Sequence, residues 1–286
     1  MGIILSLLNH KGGVGKTTSA INIGAGMVVL GKRVLLVDLD PQANLSLSLG
    51  IGRQPTSLYD AMRGEADLAP VTVRPGLDVI PSNLDLSGAE MELINEAGRE
   101  YILRELFEPM QDAYDFIIID CPPSLGLLTL NALTCSDFVL IPLQTEFLAM
   151  QGLAKIKQVI QKVKLRLNKK LEIGGVIPTM YDSRKVLNRD IVETIKKYFG
   201  ELVFESYVRD NVALAEAPAQ QHDRPILVVG EVEMDEHVVQ GDEDDVADRR
   251  GGATSSQDHR RSVNVARRGC ARRRRPRHSR CRCCRP

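Results

Sequence analysis

The stretch "NHKGGVGKTTSAIN", Asn9–Asn22, decides the fold. An apolar run, "GIILSLL" (2–8), precedes it and reads as a buried strand, and a helix is expected from Lys16 to Leu30. The stretch departs from the phosphate-loop pattern G-x-x-x-x-G-K-[ST] in one place. Gly15, Lys16 and Thr17 fill the end of that pattern, but His10 stands at its first glycine. A second lysine, Lys11, follows His10. Gly12, Gly13 and Gly15 lack a β-carbon, so their N–H groups can turn inward around phosphate oxygens. The helix that follows aims its N-terminus at the same place. Lys16 places a charge on the β- and γ-phosphates, and the Thr17 hydroxyl suits a Mg²⁺ ion.

Further along, "RVLLVDLD" (33–40) is a buried strand closed by Asp38 and Asp40. Two residues apart, these acids are expected on one side of the strand, one orienting a metal shell and the other a water. "YDFIIIDCPPS" (114–124) carries Asp120 at a strand end and stops at a double proline. Asp120 is the expected second acid of a phosphate-loop enzyme. The "CPPSLG" after it suits a γ-phosphate sensor.

Other segments fill in the frame. Strands are expected at 77–82, 137–144, 171–181 and 202–207. Helices are expected at 89–110, with a break near Gly98, at 148–167 and at 185–198. Val/Ile/Leu strands alternating with helices predict an α/β fold, a doubly wound, mainly parallel sheet with helices on both faces.

Charge is uneven. Lys+Arg and Asp+Glu are both 37, yet residues 241–286 hold fourteen arginines and six acids, a net of +8. Residues 1–240 therefore carry −8. Within that acidic part, 155–197 holds twelve bases against four acids. A local basic patch of this kind binds phosphate backbones, although exposed helix lysines alone can produce one. The segment after Gly241 is polar and arginine-dense, so disorder is expected there. Its composition fits either a GC-rich gene read out of frame or a lineage-specific tail that binds nucleic acid. No run approaches the roughly 20 apolar residues of a membrane span. The N-terminus reads as a first strand rather than a signal peptide, so a reducing cytosol is expected. Cys121 and Cys135 read as buried free thiols.

KGGVGKTT, VDLDPQAN, IIIDCPPSLG and LAEAPA, in that order, resemble the ParA/Soj group of deviant Walker A ATPases over about residues 3–220. The resemblance implies a phosphate-loop NTPase of the SIMIBI type spanning 1–240. It also implies ATP and Mg²⁺ as cofactors and a homodimer formed on ATP binding. Lys11 would then reach across the dimer to the partner's phosphates, the task an arginine finger performs in other such enzymes. Lys11, Lys16 and Asp40 become catalytic, with Asp40 positioning the attacking water. Thr17, Asp40 and Asp120 serve the metal. Lys11, Gly12, Gly13, Val14, Gly15, Lys16, Thr17 and Thr18 hold the phosphates, with Arg209 and Asn211 on the adenine side. Arg184, with Lys185, matches a position linked to non-specific DNA binding. A second such basic position is Ala213 here, which weakens that match. The implied partners are double-stranded DNA and a ParB-type protein that stimulates hydrolysis, in a nucleoid-associated, cytoplasmic setting without stable membrane association. The alternative is a MinD-like or flagellar-number ATPase that cycles on the membrane; its amphipathic C-terminal helix has no counterpart in this arginine-rich end.

Overall fold

The computed structural model describes residues 1–146, 149–209 and 211. Its centre is an eight-stranded sheet in the order β3-β4-β2-β5-β1-β6-β7-β8. The strands are β1 (Ile3–Leu7), β2 (Val34–Asp38), β3 (Val71–Arg74), β4 (Leu77–Ile80), β5 (Phe116–Asp120), β6 (Phe138–Gln144), β7 (Glu172–Tyr181) and β8 (Val208–Arg209). All neighbours are parallel except β3 and β4, an antiparallel pair at one edge.

The period-2 rule of a strand divides the core in two. Ile117 and Ile119 of β5 face one cluster and Ile118 faces the other. Likewise Leu35 and Val37 of β2 oppose Val34 and Leu36. The second cluster is covered by α1 (Lys16–Val29) and α2 (Asn44–Ser48). The first takes α3 (Leu58–Met62), α4 (Leu86–Glu92), α5 (Ile102–Phe107), α6 (Leu127–Cys135), α7 (Ala149–Arg166) and α8 (Val186–Phe199). Helices thus cover the central strands on both faces, as the continuous apolar strands require, while the edge strands β3 and β8 stay partly exposed.

Gly2 shows how closely the first strand is seated. A β-carbon there would lie 2.3 Å from the Tyr114 carbonyl oxygen, and the Gly2 N–H donates to the Gln111 carbonyl.

Several expected elements differ. The helix expected over 89–110 is four short pieces: α4, a 3₁₀ turn at Leu93–Asn95, α5, and a second 3₁₀ turn at Glu108–Met110. Gly98 adopts a left-handed φ of 75° between them, which no continuous helix accommodates. The strand expected at 202–207 is a single bridge at Val203 followed by β8 two residues long. The β2 strand ends at Asp38 rather than at residue 40. Three short elements, α2, α3 and β3, went unseen in the sequence. The boundary expected near 240, the arginine-rich tail, Ala213 and the LAEAPA motif lie outside the described residues.

Candidate nucleotide site

The site lies along the C-terminal ends of β1, β2 and β5, where open α/β sheets bind ligands. β1 leads into residues 9–15, and Gly13 and Gly15 hold positive φ angles of 71° and 85°. A β-carbon on Gly12 or Gly13 would meet nothing within 4 Å, so the loop borders open space. Gly15, at the N-cap of α1, is left-handed with no side-chain cap, which leaves that helix N-terminus to an anion.

Two side chains pin the loop. Buried Asn9 donates from Nδ2 to the Pro142 carbonyl (2.7 Å) and accepts the Lys11 N–H (3.0 Å). Thr179 Oγ1, on β7, donates to the Val14 carbonyl (2.8 Å). Neither residue was singled out in the sequence. Asn9 sits one position before the known pattern, and Thr179 lies 165 residues from its partner.

The two lysines go to different places. Lys16 is 7% exposed, and its Nζ reaches the Lys11 carbonyl at 3.4 Å, inside the loop. Lys11 Nζ instead lies on Gln144 Oε1 (2.8 Å), the last residue of β6, and on Glu146 Oε2 (2.9 Å), just past it. Thr18 is half-buried at the start of α1, and its carbonyl accepts the Asn22 amide.

The acids lie beside Lys16. Thr17 Oγ1 donates to Asp120 Oδ2 at 2.6 Å, and the buried Asp120 Oδ1 has no hydrogen-bond partner among the described residues. Asp38 and Asp120 are register partners across β2 and β5. Burial pushes the Asp120 carboxyl up to about 7; the Thr17 hydroxyl pulls against this and the Asp38 charge adds to it. Burial likewise raises Asp38 to about 6, against its hydrogen bonds from Ser46.

Asp38 corrects the sequence reading. Its carboxylate accepts Ser46 N–H (2.8 Å), Ser46 Oγ (2.7 Å) and Asp40 N–H (3.3 Å). Its two Ser46 bonds join β2 to α2 and the third holds the backbone of Asp40, so its hydrogen bonds among the described residues are structural. Because β2 stops at Asp38, Asp40 lies beyond the strand and the shared-side argument does not apply. Asp40 is 9% exposed, and its Oδ1 accepts the Gln42 N–H at 3.0 Å.

A divalent cation fits this corner. A buried carboxylate oxygen left unpaired among the described residues and a hydroxyl converge there, among acids that Lys16 offsets in part. Among the described residues no group of three His, Cys, Asp or Glu side chains forms a cage. That donor set suits Mg²⁺, which takes few protein ligands and completes its shell with phosphates and water. Cys121 is a different case: burial pushes its thiol up to about 12, which keeps the free thiol protonated.

These pKa directions predict a pH response. A carboxyl raised on folding contributes stability that is full below its unfolded value near 4 and lost as pH rises through its folded value. Asp120 and Asp38 set that window at about 4 to about 7. The nucleotide-free, metal-free protein is therefore expected to melt lower as pH rises across this window. Asp120→Asn should flatten the trend. A melting series across that window that is equally steep in wild type and Asp120→Asn would contradict the assignment.

Other predicted residues lie further out. Arg209 ends β8, three strands from β1, with its guanidinium 5.9 Å from the Tyr207 ring. Tyr207 packs on Tyr181 with ring centroids 4.2 Å apart. Asn211 is exposed. Arg184 and Lys185 lie after β7, at the entrance to α8, both exposed. Arg184 forks onto Asp182, with Nε on Oδ1 and Nη2 on Oδ2, both at 2.9 Å.

Residues 2–173 match the model of a family described as "AAA domain". The chain is 47% identical over 232 residues to the chromosome partitioning protein ParA of Caulobacter vibrioides, covering 79% of this chain and 86% of that protein. It is 46% identical over 233 residues to the sporulation initiation inhibitor protein Soj of Bacillus subtilis, covering 80% and 91%. Among solved structures, cobyrinic acid a,c-diamide synthase from Mycobacterium smegmatis, with bound ATP analog and magnesium, is 39% identical. It superposes with a TM-score of 0.71, covering 77% of this chain and 92% of that one. A phosphate-loop sheet with a doubled lysine, matched along most of its length by ParA and Soj, places the chain in the ParA/Soj family of partitioning ATPases.

Proposed function

We propose that this protein binds ATP with Mg²⁺, closes into a homodimer, coats DNA without sequence preference, and is released when a ParB-type partner stimulates hydrolysis. The observation that carries this reading is the separation of the two lysines. Lys16 is folded into its own loop, whereas Lys11 lies outside it on Gln144 and Glu146. A lysine held outside its own phosphate cradle is available to a second subunit.

In this reading the N–H groups of Gly12, Gly13, Val14 and Gly15 hold the phosphates, with Thr18 at the start of the helix. Lys16 neutralises phosphate charge from within the subunit, and Lys11 does so from the other. Thr17, Asp120 and Asp40 would hold the magnesium ion, which would supply charge neutralisation on the phosphate oxygens. Asp40 orients the water for in-line attack, which needs no covalent step from the protein. Arg209 and Asn211 form the adenine side. The protein works on the nucleoid, in the cytoplasm. The membrane-cycling alternative turns on the C-terminal segment, outside the described residues.

Arg184 and Lys185 are the proposed DNA contacts, at the head of a helix whose last turn carries Lys196 and Lys197. With ATP, binding to a random duplex is expected to fall steeply with salt, by a log–log slope of about −0.9 per phosphate neutralised. Arg184→Glu should weaken it by at least roughly tenfold and make the slope shallower. Fluorescence anisotropy on a labelled duplex measures both. Binding that survives Arg184→Glu unchanged would move the DNA surface elsewhere.

A further inference from the structure

An unbroken series of hydrogen bonds joins the phosphate loop to Arg184. The Val14 carbonyl accepts Thr179 Oγ1 at 2.8 Å. The Thr179 carbonyl accepts the Thr145 N–H at 3.2 Å, just past the end of β6. The Thr145 carbonyl accepts Asn188 Nδ2 at 2.7 Å, from α8. Asn188 Oδ1 accepts the Asp182 N–H at 3.1 Å. Asp182 then binds Arg184 three times, through its backbone N–H, Nε and Nη2.

The middle of this series is dry. Thr145 is 1% exposed, Thr179 0% and Asn188 7%. Buried hydrogen bonds of this kind hold their geometry, because breaking one strands a polar group. Thr145 also lies between Gln144 and Glu146, the two residues that hold Lys11. This short segment therefore holds Lys11 through Gln144 and Glu146 and α8 through Thr145. Met180, next to Thr179, holds a left-handed φ of 52° with no glycine to excuse it. Such strain persists only where surrounding contacts enforce it, and here Thr145 Oγ1 contacts the Met180 carbonyl at 3.4 Å. At the far end, the Arg184 guanidinium holds the Asp182 carboxyl down at about 2, so the arginine's charge is matched by a neighbouring carboxylate.

We propose that residues 144–146 are a relay between Lys11 and Arg184, and that Asn188 is its coupling residue. When Lys11 leaves Gln144 and Glu146 for phosphate oxygens, the segment shifts. Asn188 passes that shift to Asp182, which loosens its hold on Arg184 and frees it for a DNA phosphate. This makes Asn188 a positioning residue that contacts neither nucleotide nor DNA. The inference rests on the proposed ATP-dependent DNA binding, and its test separates the two.

Asn188→Asp keeps the size and the acceptor for the Asp182 N–H but replaces the donor to the Thr145 carbonyl. The full-length variant is expected to dimerise with ATP and to turn ATP over without partner like wild type. Its ratio of DNA affinity with ATP to that without should fall by about tenfold, within the range of ordinary coupling free energies. Hydrogen–deuterium exchange over 182–190 should respond to ATP in wild type and not in the variant. Should Asn188→Asp fail to fold, Asp182→Asn replaces it. That variant keeps the backbone N–H on Asn188, and it should strengthen nucleotide-free DNA binding severalfold while ATP adds less. A wild-type affinity ratio and exchange response in Asn188→Asp, or no nucleotide-free gain in Asp182→Asn, overturns the relay. If wild type binds no DNA in either state, the functional reading fails, and the exchange measurement alone then decides the relay.

Discussion

Lys11→Ala is expected to bind ATP like wild type and to lose about 10³-fold in partner-stimulated turnover, the low end of what a charge supplied in trans contributes to phosphoryl transfer. A thousandfold corresponds to about 4 kcal/mol of transition-state stabilisation. The fold should not change. The Lys11–Glu146 pair is exposed on both sides, at 44% and 51%, and surface pairs of this kind contribute about 0–1 kcal/mol. Nor should nucleotide affinity change, since Lys11 lies outside its own loop while Lys16 lies within it. Lys16→Ala is the opposite case, expected to lose nucleotide binding itself. Isothermal titration with ATP and a coupled phosphate-release assay separate the two variants. Normal stimulated turnover in Lys11→Ala would end the trans-lysine reading. Loss of nucleotide binding there would instead assign Lys11 to its own loop.

The central sheet and the loop were legible because their signals are local. "GIILSLL", "RVLLV" and "FIIID" are apolar on both faces, which only a buried parallel strand requires. Gly12 and Gly13 border open space, and Gly13 and Gly15 hold positive φ, as a phosphate cradle requires. What the sequence concealed depends on distant partners. Asp38 and Asp40 look alike in "VDLD", yet Ser46 claims one of them, eight residues on. Thr179 and Asn188 are ordinary residues in a strand and a helix until the fold sets them against Val14 and Thr145. The broken helix at 89–110 was half-legible: Gly98 marked the break, but the start of α5 after it is pinned by a distant residue of α6, where Asn131 donates to the Arg99 carbonyl and accepts the Leu103 N–H.

Asp40→Ala is expected to lower turnover by about 10²–10⁴-fold, the usual contribution of a positioned proton acceptor, while leaving a dimer that persists with ATP. Two facts favour retention of the dimer. Among the described residues the Asp40 carboxylate accepts one hydrogen bond, from the Gln42 N–H, so its loss removes about 1 kcal/mol. Its charge also helps to raise the Asp120 carboxyl, so removing it favours ionised Asp120 and hence the metal that Asp120 would serve. Size-exclusion chromatography with light scattering, with and without ATP, reads the dimer. A competing explanation is that Asp40 merely caps the turn into α2, where Ala43 sits at a strained φ of 53°. Asp40→Asn separates the two, because an amide oxygen still accepts the Gln42 N–H but is a far weaker base than a carboxylate. If the water-orienting role is right, Asp40→Asn should be as inactive as Asp40→Ala. If Asp40→Asn turns over ATP like wild type, the carboxylate's task is the turn, and the attacking water must be oriented by another group.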